Sequence, residues 1–221
     1  DGRNSLAGLV LSNSTLYGTA SSGGTGWGTL FKVNINGLGY TNLYSFTAET
    51  GPNTNREGAN PVADLILSGN TLYGTAQNGG SMANGTVFAV NTDGTGFTNL
   101  HNFTGGSDGG NPLGGLVLSG NTLYGTASAG GSSGYGTVFA VKADGTGFTN
   151  LYSFTPWSAS NPATNSDGAV PLAGLVLSGN TLYGTASGGG VFGHGTVFSL
   201  SLPPPVLLTI VRSGTNAILT W

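Results

Sequence analysis

Cysteine is absent from this 221-residue chain, which excludes a disulfide framework and any thiolate metal site. Charge is scarce as well: acidic and basic residues together make up 6%, where about 25% is usual. The five basic residues, Arg3, Lys32, Arg56, Lys142 and Arg212, are scattered, and the net charge is −3. No electrostatic footprint for nucleic acid or an anionic membrane results, so neither partner is expected. No apolar run approaches the ~20 residues of a membrane-spanning helix, and membrane insertion is not expected. A helical hydrophobic period is missing throughout, and no capping residue precedes an apolar run. No secretory leader is legible at the start.

What the chain has in excess is glycine, 42 residues, roughly 19% against a usual ~7%. The backbone must therefore turn often, and Ser, Thr and Asn rather than ions keep the surface wet. The glycines fall in a repeat. LVLSNSTLYGTA (9–20) returns as LILSGNTLYGTA (65–76) and as LVLSGNTLYGTA at 116–127 and 175–186. Each copy leads through a glycine loop into GTLFKV, GTVFAV, GTVFAV or GTVFSL, and three copies continue into YTNLYSF, FTNLHNF and FTNLYSF. Four short β-segments follow from these motifs, named a to d in chain order. GLVL and TLYGTA flank a tight SGN turn. GTVFAV is apolar on both faces, as a strand covered on both sides would be. Asp-Gly turns then lead to aromatic and β-branched FTNLYSF.

Four strands in 50 to 60 residues is the arithmetic of a propeller blade. The expected fold is all-β, a β-propeller-like array of nearly four four-stranded repeats. A β-solenoid or an open arc of a larger propeller are the alternatives. The repeats are placed at about 6–61, 62–112, 113–171 and 172–202. A proline linker (203–205) and a β-hairpin (206–221) follow. That hairpin is read either as the start of an immunoglobulin- or fibronectin-like module or as the strand that closes the fourth repeat. A third reading has a neighbouring chain supply the missing strand, because an open sheet edge needs cover. DGRNSLAG aligns with SDGGNPLGG and SDGAVPLAG, so Asp1 is expected to fall inside a d–a linker, with further repeats upstream.

LYGTASAGG followed by GTVFAVKADGTGFTNLYSF resembles the Gloeobacter/Verrucomicrobia (GloVer, choice-of-anchor) tandem repeat of large exported bacterial proteins, and more loosely a kelch blade. The resemblance covers about residues 1 to 202. It implies an extracellular or surface-attached protein and carries over no catalytic residue.

In a propeller blade the a–b and c–d turns share one face, and the b–c and d–a loops share the other. Here the former hardly vary, while the latter carry all the variation in sequence and length. The diverse face is read as the interaction surface. Just before each GT stand Trp27, Asn84, Tyr135 and His194. These residues share a flat or amide surface with a hydrogen-bonding tip, suited to sugars or peptides; a merely tolerant exposed slot is the alternative. Phe192, Trp157 and Met82 lie in the same loops. The expected function is a non-enzymatic extracellular binding or adhesion module for a polysaccharide or surface protein. A filament or sheath subunit that self-assembles by strand pairing through the unfinished last repeat is the second reading, and a glycan-active enzyme the third.

Chemistry has few candidates. His101 takes the place of Tyr44 and Tyr152 in its sister repeats and reads as an aromatic substitute. Asp1, Asp108 and Asp167 recur in the linkers, with Glu57 standing in for them, which points to a structural role; no cofactor is expected, with Ca²⁺ at these linkers as the alternative. Asp64 and Glu49 alone lack counterparts and are the only candidates for an acid/base pair. SGGGVFGHG (187–195) contains G-x-G-x-x-G, but no helix follows to receive a pyrophosphate.

Overall fold

The computed structural model describes residues 1–47, 55–158, 164–203, 209–213 and 216–220. A two-residue strand, β1 (Gly2–Arg3), pairs with the equally short β4 (Ser22–Gly23). Around them β2 (Val10–Ser12), β3 (Thr15–Ala20), β5 (Thr29–Asn34) and β6 (Thr41–Ser45) form the first antiparallel sheet, in that order. The second repeats the plan with β7 (Ile66–Ser68), β8 (Thr71–Ala76), β9 (Thr86–Asn91) and β10 (Thr98–Asn102). The third is β11 (Val117–Ser119), β12 (Thr122–Ala127), β13 (Thr137–Lys142) and β14 (Thr149–Ser153). The fourth stops at three: β15 (Val176–Ser178), β16 (Thr181–Ala186) and β17 (Thr196–Ser201).

Each of these sheets is an antiparallel meander, strands a to d in the first three and a to c in the fourth, with the same register at its centre. Gly18, Gly74, Gly125 and Gly184 of the TLYGTA motif each lie opposite a phenylalanine of strand c. The ring folds across the glycine: a Cβ on Gly125 would stand 2.6 Å from Phe139 Cζ and 2.8 Å from Leu116 Cδ2. That close approach explains why the motif is YGTA and not a longer apolar run.

Strand c faces both ways, so its phenylalanine packs toward the preceding sheet and its first valine or leucine toward the next. One buried cluster joins the first and second sheets through Leu30, Phe46, Leu72 and Phe88. Another joins the second and third through Val87, Phe103, Leu123 and Phe139. A third joins the last two through Val138, Phe154, Leu175 and Leu182. Threonines of strand b clip each sheet to the next: Thr19, Thr75 and Thr126 donate through Oγ1 to the carbonyls of Ala63, Gly114 and Ala173 at 3.2, 3.3 and 3.0 Å.

Among the described residues no buried cluster joins the fourth sheet to the first. The end faces are correspondingly uncovered. Val197 is 81% exposed, while its counterparts Val87 and Val138 are fully buried. The fold is therefore all-β and propeller-like, as four antiparallel meanders require, and among the described residues it is open at both ends. A solenoid is excluded by the antiparallel hairpins.

β18 (Thr209–Ser213) and β19 (Asn216–Thr220) pair with each other and not with β17. Most of the proline linker and Val206–Leu208 lie outside the described residues.

Candidate functional site: the loop face

Short bridges place the variable segments on one face. The d–a linkers meet the b–c loops at Ala59 with Asn78, Gly110 with Ala129 and Ala169 with Gly188. The residue before each GT sits where these segments converge, because the glycine after it lets the next linker approach. Gly136 has φ +102°, and a Cβ there would stand 2.6 Å from Pro171 Cδ. The linker then bonds to the slot: Asn60 N–H donates to the Trp27 carbonyl at 2.8 Å, Asn111 N–H to Asn84 at 2.7 Å and Val170 N–H to Tyr135 at 2.9 Å.

The slot residues differ in what their side chains do. Trp27 is half-buried against the cluster between the first and second sheets. Asn84 is half-buried and donates its amide to the carbonyls of Met82 and Thr104, at 2.9 and 2.8 Å. Tyr135 packs on the cluster between the last two sheets, with its ring stacked on Trp157 at 5.0 Å and 28°. His194 is exposed, as is Phe192 two residues before it, while Met82 projects from the second repeat's loop. The structure thus brings Tyr135 and Trp157 together. It sets them against the fourth b–c loop, where a Cβ on Gly188 would stand 2.8 Å from Trp157 Cζ2. Among the described residues, no ring contact or hydrogen bond joins Trp27 or Asn84 to that group.

Sequence reading missed a ladder of amides on the same face. Asn60 Nδ2 donates to the Ser21 carbonyl at 2.8 Å, and Asn78 Nδ2 to Asn60 Oδ1 at 3.0 Å. Asn111 Nδ2 reaches the Gln77 carbonyl and Asn78 Oδ1, both at 3.3 Å. The signal was the aligned Asn4, Asn60 and Asn111, all in the left-handed region, at φ 59°, 55° and 52°. Val170 takes the fourth place at φ 55° and ends the ladder.

The recurring linker acids close each repeat. Asp108 accepts from Thr104 N–H and His101 Nε2, both at 3.0 Å, and from Thr104 Oγ1. Asp167 does the same with Thr155 N–H and Tyr152 O–H, both at 2.8 Å, and with Thr155 Oγ1. Glu57 accepts from Thr47 N–H and Oγ1 at 3.1 and 3.0 Å. Burial and the Asp167 hydrogen bond push the Tyr152 phenol up to about 12. Burial opposes ionisation of Asp108, but the bonds from Thr104 and His101 outweigh it and hold the carboxyl below its ordinary value. Carboxylates engaged in this way act as linker clips, and among the described residues no group of three or more His, Asp or Glu could hold a metal. Asp64 is exposed and accepts from Gly8 N–H. Glu49 lies outside the described residues.

His101 stacks on Phe148 at 3.6 Å and 10°, in the place its sister tyrosines occupy. Burial pushes its pKa down, and Asp108 only partly restores it, so the folded chain favours the neutral ring. The unfolded chain then binds the proton more readily, and stability falls as pH drops below the ordinary histidine value of 6.5. Asp108, with its folded pKa depressed, gives up its contribution only below the ordinary carboxylate value of 3.8. His101→Tyr is therefore expected to flatten the decline in Tm between pH 7 and 5, and an unchanged slope would contradict this assignment.

Fold and face define an open propeller-like array of four-stranded repeats with its diversity gathered on one side. The chain belongs to the Gloeobacter/Verrucomicrobia repeat family, whose model matches residues 1–165 and again 52–213. No curated protein matches the chain. Solved structures share the fold at low identity. The GH74 enzyme of Niastella koreensis aligns with a TM-score of 0.54, 20% identity, and coverage of 90% of this chain and 28% of that one. A chain of the nidogen/laminin complex aligns with a TM-score of 0.51, 17% identity, and coverage of 86% and 56%. This chain thus spans about half or less of those proteins, and the likeness concerns the propeller fold.

Proposed function

We propose that this chain is a non-enzymatic binding module of an exported bacterial protein, and that its b–c loops and d–a linkers form the ligand-contacting surface. The observation that carries the reading is the aromatic group on that face. Trp157, 36% exposed, rests on Tyr135 beside a glycine loop that projects Val191 and Phe192 into solvent, 74% and 76% exposed. Apolar side chains held in water by a fixed scaffold mark an interaction site more often than a random surface does. Flat rings with polar tips suit the faces of sugars. The scarcity of charge favours a neutral polymer, so a polysaccharide at the cell surface is the ligand class, with a surface protein as the alternative.

Trp157→Ala and Phe192→Ala are each expected to weaken binding on a glycan array by about tenfold, the value of ~1.4 kcal/mol of lost contact. Leu38→Ala, in the c–d turn of the uniform face, is the control and leaves binding unchanged. Array signals that survive both loop-face substitutions would contradict the proposal.

A further inference from the structure

Among the described residues the fourth repeat has three strands, and it carries the mould of a fourth. In the first three repeats the c–d turn ends in a glycine followed by an aromatic residue, Tyr40, Phe97 or Phe148. Each of these rings stacks on the strand-c phenylalanine of its own sheet. Phe31 with Tyr40 gives 5.5 Å and 26°, Phe88 with Phe97 gives 5.6 Å and 25°, and Phe139 with Phe148 gives 5.7 Å and 22°. Phe97 and Phe148 also plug the preceding interface. Phe97 stacks on Tyr44 at 4.0 Å and 4° and meets Phe46 edge-on at 5.8 Å. Phe148 stacks on His101 and meets Phe103 edge-on at 5.9 Å.

At the last interface the same walls stand around a void. Phe198 is the strand-c phenylalanine, and Tyr152 and Phe154 are the counterparts of Tyr44 and Phe46. Together with Val138, Asp167 and Leu200 they line a cavity of about 150 Å³. A cavity of about that size accepts benzene, so it accommodates one phenyl ring. Beside it lies the print of the missing turn. In the second and third repeats that turn presses on the preceding strand d: a Cβ on Gly94 would stand 2.5 Å from the Leu43 carbonyl oxygen, and one on Gly145 3.3 Å from Leu100 Cα. Leu151, the counterpart of Leu43 and Leu100, instead lines an open cavity of about 400 Å³ with Tyr124, Leu177 and Leu202. The outer edge of β17 has no partner strand among the described residues.

From these coincident cavities we infer that the fourth repeat is a strand-acceptor site, and that its occupant is an extended Gly-aromatic-Thr-Asn-Leu segment lying outside these 221 residues. The strand pairs with the edge of β17, and its ring enters the socket of Tyr152, Phe154 and Phe198. Two facts select this occupant. The hairpin of β18 and β19, TIVRS and NAILT, carries no aromatic residue and is paired with itself. The three segments of the right type within the chain, in β6, β10 and β14, are already paired in their own sheets. Strand addition of this kind takes affinity from main-chain bonds and specificity from the side-chain socket. The inference goes beyond the loop-face proposal and does not depend on it.

The test uses the full chain and a labelled synthetic peptide with the sequence of residues 144–155, DGTGFTNLYSFT, read by fluorescence anisotropy. Saturable one-to-one binding is expected, and the peptide carrying Phe148→Ala should bind at least about tenfold more weakly, because it has no phenyl ring to bury in the socket. The peptide variant leaves the folding of the acceptor untouched. Equal binding of the two peptides would overturn the socket, and no binding up to about 1 mM, an affinity of only ~4 kcal/mol, would overturn the acceptor site. Binding of free benzyl alcohol without binding of either peptide would reduce the feature to a small-molecule cavity and likewise overturn it.

Discussion

Phe139→Ala is expected to destabilise the chain by about 3–5 kcal/mol, the cost of emptying a fully packed phenylalanine site. Phe31→Ala, at the same position of the first repeat, should cost only about 1–2 kcal/mol, closer to partial loss of transfer energy without a sealed cavity. The two rings lie opposite equivalent glycines, but their surroundings differ. Phe139 is wholly buried between the second and third sheets and meets Phe103 at 5.1 Å as well as Phe148. Phe31 is half-buried, and its ring partner is Tyr40, itself 44% exposed. In an array where each unit touches only its neighbours, a terminal face contributes less than an internal one. Urea unfolding of both variants checks this, and equal losses would show that the outer face of the first sheet is covered.

Val170→Asn should act in the opposite direction and stabilise by about 1–2 kcal/mol. A β-branched side chain in the left-handed region is strained, at a cost of roughly 1–2 kcal/mol for an L-residue, while asparagine tolerates it. The other three repeats hold asparagine there at nearly the same φ. The new amide would also face the Ser128 carbonyl, the counterpart of the Ser21 and Gln77 carbonyls bonded by Asn60 and Asn111. For a chain of this length each kcal/mol raises Tm by ~2–4 °C. Val170→Gly separates the two contributions: it relieves the φ without supplying the amide, and its greater unfolded-state freedom offsets part of the gain. An unchanged or lowered Tm for Val170→Asn would show that valine is held there by contacts that outweigh the strain.

Much of the architecture was legible because the repeat supplies its own control. A motif such as TLYGTA, seen four times between turn residues, fixes strand, register and sheet order more firmly than one copy would. It also places the b–c loops and d–a linkers on one face, where the bridges from Ala59, Gly110 and Ala169 hold them. Burial was not legible in the same way. GTVFAV and GTVFSL have the same pattern, yet β13 is buried along nearly its whole length while β17 alternates between exposed and half-buried, because only β13 has a sheet on each side.

The slot before each GT shows a second limit. Its variability reads as exposure, but Tyr135 varies together with its packing partner Trp157, which sits in an equally variable linker. Variation shared by two touching residues looks the same in one sequence as variation facing water. The socket at Tyr152 went unnoticed for the converse reason. Its signal is a missing residue, the aromatic after the c–d turn, which only the geometry of the filled sockets makes meaningful.

Amide hydrogen exchange on strand c tests the central claim, an array open at its end with an unoccupied fourth-strand position. Thr86–Asn91 and Thr137–Lys142 are paired on both sides, whereas among the described residues Thr196–Ser201 is paired with β16 alone. The expected result is slow exchange along β9 and β13 and, in β17, an alternation of slow amides with fast ones directed at the empty edge. Uniform protection of β17, matching that of β9 and β13, would show that a strand already covers it and would contradict the account.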